Sequence, residues 1–247
     1  QAESDEVRGM VLAAAARTDE ARGAYERALE RFERKGVVPA VTEYADVCPR
    51  IRDNDCVAVP STMLELGTKA PDFELPDVTT GELVSLSDFE AKHALLVMFI
   101  CRHCPYVAHV REELGRLGRD FADSELGVVA ISANDPDAYP EDAPEGLAQD
   151  SRQAGYVFPY LFDETQEVAK AYTAACTPDF FLFDADRALV YRGQLDASRP
   201  SNGLPVTGAD LRAAIDAVLS GAPVADDQRA SIGCSIKWRA GNEPAYA

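Results

Sequence analysis

The sequence predicts an α/β fold with a central mixed sheet flanked by helices. Three observations carry that prediction. Apolar runs of strand length alternate with segments whose apolar residues recur at helical spacing. The alternation ends in two strands around a short turn, a late hairpin on the sheet. The two cysteines of Cys101-Arg102-His103-Cys104 stand where an apolar strand gives way to a helix.

The elements follow in order. Residues 1–60 read as a helical N-terminal extension. One helix is predicted over 5–17. A second begins at Thr18, an N-cap followed by Asp19 and Glu20. It carries Ala21, Tyr25, Leu29 and Phe32 on one face, and Lys35 and Gly36 end it. After Pro39 the pattern breaks up around Cys48 and Cys56. The main domain is predicted over 61–222. It opens with a hairpin, 67–75 and 82–86, around the turn 76–81. Residues 94–100 form an uninterrupted apolar run, the mark of a buried strand. Val107, Val110, Leu114, Leu117 and Phe121 then share one helical face. A strand over 126–132, a polar loop over 133–143 and a helix over 144–154 come next. A short strand at 158–162 and a short helix at 164–172 precede the late pair, 179–184 and 188–194. Thr207 is the expected cap of a last helix, 208–219. Residues 223–247 read as a tail that docks on the domain through Ile232, Ile236 and Trp238, because burying a tryptophan removes much apolar area from water.

Composition narrows the chemistry. The net charge is −18, from 42 acidic and 24 basic residues. Phosphate binding needs a basic face, so nucleic acid is excluded as a partner, and an anionic membrane surface on the same ground. No apolar stretch reaches the length of a membrane helix. The basic residues are nineteen arginines and five lysines. An acidic, solvated surface accounts for this balance, and adaptation to high salt is the alternative. The six cysteines are sparse for a secreted disulfide scaffold, which points to redox work. The expected location is the cytoplasm. An extracytoplasmic one stays open, because the chain begins at Gln1 and a cleaved signal would be invisible.

The Cys101–Cys104 pair is the candidate active site. Unpaired N–H groups and the dipole at a helix start stabilise a thiolate, the reactive form of cysteine. Two cysteines at this spacing can also close a small disulfide ring. His103 between them could lower a thiol pKa as an imidazolium, whereas His109 reads as an ordinary helix residue. A zinc site would need two further ligands, so no metal is assigned. Haem attachment is excluded because Pro105, not histidine, follows the second cysteine. The acidic loop 134–145 lacks the calcium-loop pattern and reads as solvated.

Several segments resemble the thioredoxin-fold superfamily, and more closely its peroxiredoxin-like AhpC/TSA branch. Lys69-Ala70-Pro71-Asp72-Phe73 and Val84-Ser85-Leu86-Ser87-Asp88-Phe89 resemble the opening of peroxiredoxin domains. Cys101–Cys104 resembles the thioredoxin CxxC. Thr177-Pro178, followed by Asp179-Phe180-Phe181-Leu182-Phe183-Asp184, resembles the cis-proline loop and the strand after it. The resemblance covers roughly residues 66–222. Cys234-Ser235-Ile236-Lys237-Trp238 looks like the end motif of a bacterial group of such proteins. The implied architecture is a thioredoxin-like fold with a peroxiredoxin-like N-terminal hairpin.

The resemblance also implies a chemistry. Peroxiredoxins carry Pro-x-x-x-Thr/Ser-x-x-Cys. Aligned on Cys104, this chain has Val97 in place of the proline and Cys101 in place of the hydroxyl residue, and Thr177-Pro178 stands in place of the arginine. The implied activity is therefore thiol–disulfide oxidoreduction. Cys101, expected at the helix start and more exposed, attacks as the thiolate, and Cys104 resolves the mixed disulfide. Thr177 presents backbone groups to a substrate strand, and Pro178 shapes the groove and keeps metals from the thiols. Cys176 and Cys234 are possible additional redox thiols. The partners implied are protein or small-molecule disulfides and a thiol electron donor, with no cofactor and the oligomeric state left open. Two alternatives stand beside this reading: a thiol-dependent, antioxidant peroxidase using Cys104, and a redox-sensing or binding module. The cue for the module is the extension with its own Cys48 and Cys56.

Overall fold

The computed structural model describes residues 58–246. The predicted helices of the extension, with Cys48 and Cys56, lie outside the described residues. In chain order the strands and helices open with β1 (Ala58–Pro60), β2 (Glu74–Pro76), β3 (Leu83–Ser85) and β4 (Ala94–Phe99). Then come α1 (Pro105–Asp120), β5 (Leu126–Ser132), α2 (Pro144–Ala154), β6 (Tyr160–Phe162) and α3 (Glu167–Ala171). The chain continues through β7 (Cys176–Thr177), β8 (Asp179–Phe183), β9 (Leu189–Gly193), α4 (Ala209–Leu219) and β10 (Ile232–Ser235).

The central sheet has the order β6-β5-β4-β8-β9. β4, β5 and β6 run parallel, while β8 is antiparallel to both its neighbours, β4 and β9, so the sheet is mixed. β4 lies in the middle and every one of its residues is buried. A strand covered on both faces reads as a continuous apolar run, which is why 94–100 carries no alternation. Its Leu95, Val97 and Phe99 join a core with Phe73, Phe89, Tyr172, Phe181 and Phe183. The alternate Leu96 and Met98 point to the other face. There α1 buries Val107, Val110, Leu114 and Leu117. α2 approaches α1 so closely that a Cβ on Gly115 would stand 2.5 Å from the Ala154 carbonyl oxygen. Arg212 on α4 binds Glu113 of α1 at 2.6 Å and Asp120 at 2.8 Å, which joins these two helices.

β2 and β3 form the expected hairpin. The tail does not remain apart. β10 pairs antiparallel with β1 on one side and with β7 on the other, in a small second sheet. Residues 58–60, assigned from the sequence to the extension, thus belong to the body as β1. Ile236 enters the core and Trp238 packs against it, with its ring edge-on to Tyr246. Ile232 differs from expectation. It stands 40% exposed as the first residue of β10.

One cap also differs. Gly208, in the left-handed conformation, is the N-cap of α4, not Thr207. The Asp196 carboxylate instead accepts the backbone N–H groups of Thr207 at 2.6 Å and Gly208 at 2.7 Å. A partner eleven residues upstream leaves no local trace in the sequence.

Candidate active site

α1 begins at Pro105, so Cys104 is its N-cap and Cys101 lies three residues before it. Proline at the first helical position satisfies a place that has no hydrogen bond to lose. The sequence expectation put Cys101 at the helix start and made it the more exposed thiol. Both parts are corrected: the cap is Cys104, and both cysteines are fully buried. The missed signal was Pro105 itself.

Thr177 meets both sulfurs. Its Oγ1 lies 3.3 Å from Cys101 Sγ, and its carbonyl oxygen lies 3.1 Å from Cys104 Sγ. The Thr177–Pro178 peptide bond is cis. β7 therefore ends directly over the dithiol.

The two thiols differ electrostatically. Burial pushes the Cys101 thiol well up, helped by the Cys104 sulfur and the Asp142 carboxylate; Thr177 opposes weakly. Burial also acts upward on Cys104, but donors outweigh it. The thiols of Cys101 and Cys234, Thr177 and the Val107 backbone N–H hold Cys104 well below the ordinary cysteine range. The Thr177 carbonyl favours the thiol form of Cys104, yet it is one acceptor against four donors at a helix N-terminus. The two thiols are thus pushed in opposite directions, Cys101 up and Cys104 down.

Asp142 organises the turn between the cysteines. It is fully buried, with one oxygen accepting the backbone N–H of Arg102 at 2.8 Å and of His103 at 3.2 Å. The other accepts Asn134 Nδ2 at 2.8 Å and holds His103 Nδ1. The His103 ring stacks on Tyr139, 4.8 Å between centroids, and the Lys237 ammonium lies over the far ring at 5.5 Å. Asn134 Oδ1 accepts the Lys237 N–H at 2.8 Å, so the network reaches the tail. The loop 134–145, read from the sequence as solvated, thus supplies two buried site residues. No local pattern announces Asn134 and Asp142, because their partners outside the loop are 39 to 103 residues away in sequence.

Cys101, His103 and Asp142 also bring a thiol, an imidazole and a carboxylate within 4.8 Å of one another. Soft, nitrogen and oxygen donors together suit a transition metal. Here the carboxylate oxygens are committed to the turn, and a metal would have to displace them. Cys176 is buried, which pushes its thiol well up, and its Sγ lies 3.7 Å from the Pro178 carbonyl oxygen. Cys234 is buried beside Cys104. His109 is half-buried and lines a groove with Tyr106, Pro178, Phe180, Asp196 and Arg199; burial lowers its pKa.

The decisive observation is a match of the AhpC/TSA family model to residues 66–192, which spans the hairpin, the dithiol and the cis-proline loop. The chain belongs to the AhpC/TSA family. It is a peroxiredoxin-like protein of the thioredoxin fold, and a redox enzyme of that kind. Over 118 residues it is 34% identical to a protein named "putative peroxiredoxin" in two strains of Mycobacterium tuberculosis, covering 46% of this chain and 67% of that one. Two solved structures are more similar. An uncharacterized conserved protein from Geobacillus kaustophilus is 56% identical with a TM-score of 0.73, over 74% of this chain and 96% of that one. A hypothetical protein from Sinorhizobium meliloti 1021 is 54% identical with a TM-score of 0.73, over 74% and 99%. In this AhpC/TSA member Cys104 caps α1 and a second cysteine, Cys101, stands three residues before it.

Proposed function

We propose that the protein is a dithiol oxidoreductase in which Cys104 attacks as the thiolate and Cys101 closes the disulfide. The observation that carries this reading is the asymmetry of the pair: Cys104 caps α1 among four donors, while Cys101 sits beside the Asp142 carboxylate. The roles are thus exchanged relative to the sequence expectation. With a disulfide R–S–S–R, Cys104 S⁻ attacks one sulfur, forms Cys104–S–S–R and releases RS⁻. Cys101 then gives up its proton and attacks Cys104 Sγ, the ring closes, and the second R leaves as RSH. An external thiol donor resets the dithiol.

Complete burial of both sulfurs favours a small oxidant. The same observation supports a second reading, a thiol peroxidase. There Cys104 S⁻ attacks the terminal oxygen of a hydroperoxide ROOH, the O–O bond breaks, ROH leaves and Cys104 becomes a sulfenic acid; the Cys101 thiol then condenses with it to a disulfide and releases water. Steady-state assays with a small disulfide and with hydrogen peroxide test both. The first reading expects faster turnover with the disulfide, lost in Cys104→Ser. Faster turnover with peroxide overturns it in favour of the second. Disulfide turnover that survives Cys104→Ser but not Cys101→Ser overturns the exchange of roles.

A further inference from the structure

β7 is a two-residue strand that ends at the cis peptide bond, and one of its edges is taken by the chain's own tail. Cys234 of β10 stands opposite Thr177, and Ser235 opposite Cys176. The approach is unusually close: a Cβ on Gly233 would fall 2.0 Å from the Thr177 carbonyl oxygen and 3.1 Å from the Pro178 nitrogen. Only glycine fits there. That same carbonyl oxygen is 3.1 Å from Cys104 Sγ. The register therefore sets Cys234 beside the Cys104 sulfur, to which its thiol donates. The tail is clamped on both sides of this point. Upstream, the Ser61 N–H bonds the Ser231 carbonyl at 2.9 Å; downstream, the Ile236 N–H bonds the Ala175 carbonyl at 3.0 Å. Gln166 and Asn134 hold the backbone of Lys237 beyond it.

We propose that β10 is a built-in occupant of the strand-pairing edge beside Pro178, and that Cys234 is a third redox thiol that closes a disulfide with Cys104. The proposal rests on the reading of Cys104 as the attacking thiolate. After Cys104 has formed Cys104–S–S–R, its sulfur is flanked by two protein thiols, Cys101 and Cys234. Cys234 attacks Cys104 Sγ, the Cys104–R sulfur bond breaks, and the Cys234 proton leaves with R as RSH. The protein loses two electrons and R–S–S–R becomes two RSH. Because β10 fills this edge, an extended polypeptide cannot pair with Thr177 along it while the tail is seated. The oxidants of the resting fold are therefore small disulfides, not protein strands.

The test uses the reduced full chain carrying Cys101→Ser. It is treated with one equivalent of cystamine, blocked with N-ethylmaleimide and peptide-mapped by mass spectrometry. The expected main product is a Cys104–Cys234 disulfide. In Cys101→Ser/Cys234→Ser the reaction should stop at Cys104 joined to cysteamine. A Cys101→Ser protein that stops there, with Cys234 recovered as the maleimide adduct, overturns this inference alone. Cystamine that leaves Cys104 unmodified overturns the reading of Cys104 as thiolate, and this inference with it. Cys101→Ala repeats the measurement if serine disturbs the buried site, and the unsubstituted chain should also yield some Cys104–Cys234 pair.

Discussion

Gly233→Ala should lift β10 off the site. The added Cβ would stand 2.0 Å from the Thr177 carbonyl oxygen and 2.5 Å from its carbon, both backbone atoms of a buried strand that cannot swing away. A carbon–oxygen contact needs about 3.3 Å, so β10 must retreat by about 1 Å. A backbone hydrogen bond tolerates only about 0.3 Å of lengthening before it is lost in effect. The Cys234–Thr177 pairing should therefore break. One or two lost hydrogen bonds cost about 1 kcal/mol each, and overpacking adds about 1–3 kcal/mol. The expected destabilisation is about 2–5 kcal/mol in total. Urea unfolding followed by the fluorescence of Trp238, the only tryptophan, reads it from the tail itself. The Cys104–Cys234 disulfide should fall about tenfold in the same variant, about what 1.4 kcal/mol of lost pairing gives. A loss under about 0.5 kcal/mol with an unchanged disulfide yield would refute the seating of β10 on Thr177.

Three further outcomes follow from the same geometry. Asp142→Ala orphans the buried N–H groups of Arg102 and His103 and the Asn134 amide. Urea unfolding should show a loss of about 3 kcal/mol or more, and alkylation of Cys101 should rise relative to Cys104, because a neighbouring negative charge is gone. Thr177→Val removes the hydroxyl that faces both sulfurs, so alkylation of Cys104 should need a higher pH; an unmoved profile would count against that contact. Burial pushes the Asp179 carboxyl up to about 7, against the hydrogen bond from Ser61 at 3.0 Å. A raised carboxyl binds its proton more tightly in the folded state. Its contribution is thus full below the unfolded value of about 4 and is lost as pH rises through about 7. Relative to Asp179→Asn, the unsubstituted protein should lose stability over that window, by unfolding midpoints taken at several pH values; parallel profiles would contradict this.

Much of the body was legible because its signals are local. The helix over 144–154 and the strand over 126–132 appear with the bounds read from the sequence. The β4 run needed no alternation to be read, since a strand buried on both faces has none. The CxxC, Thr177 and Pro178 were also legible, and the structure brings all four residues together. What escaped rests on contacts distant in sequence. Asp142 looks like any loop aspartate until Arg102 and His103 fold against it. β1 is three residues long and has no identity without β10 to pair with. The proposed exchange of roles within the dithiol turns on Pro105, a local signal that was read only as excluding haem. Its other meaning, that the residue before it caps the helix, moves the proposed thiolate by three residues.

The central claim is that Cys104, not Cys101, is the resting thiolate. Alkylation with limiting iodoacetamide across a pH series, with each cysteine peptide quantified by mass spectrometry, tests it directly. Because both sulfurs are buried, the comparison is of the pH at which each label appears, not of absolute rates. The account predicts that Cys104 labels first and is already labelled at pH values where an ordinary cysteine is a thiol, while Cys101 labels only at higher pH. Preferential labelling of Cys101 at low pH, with Cys104 unreactive until pH rises, would contradict it.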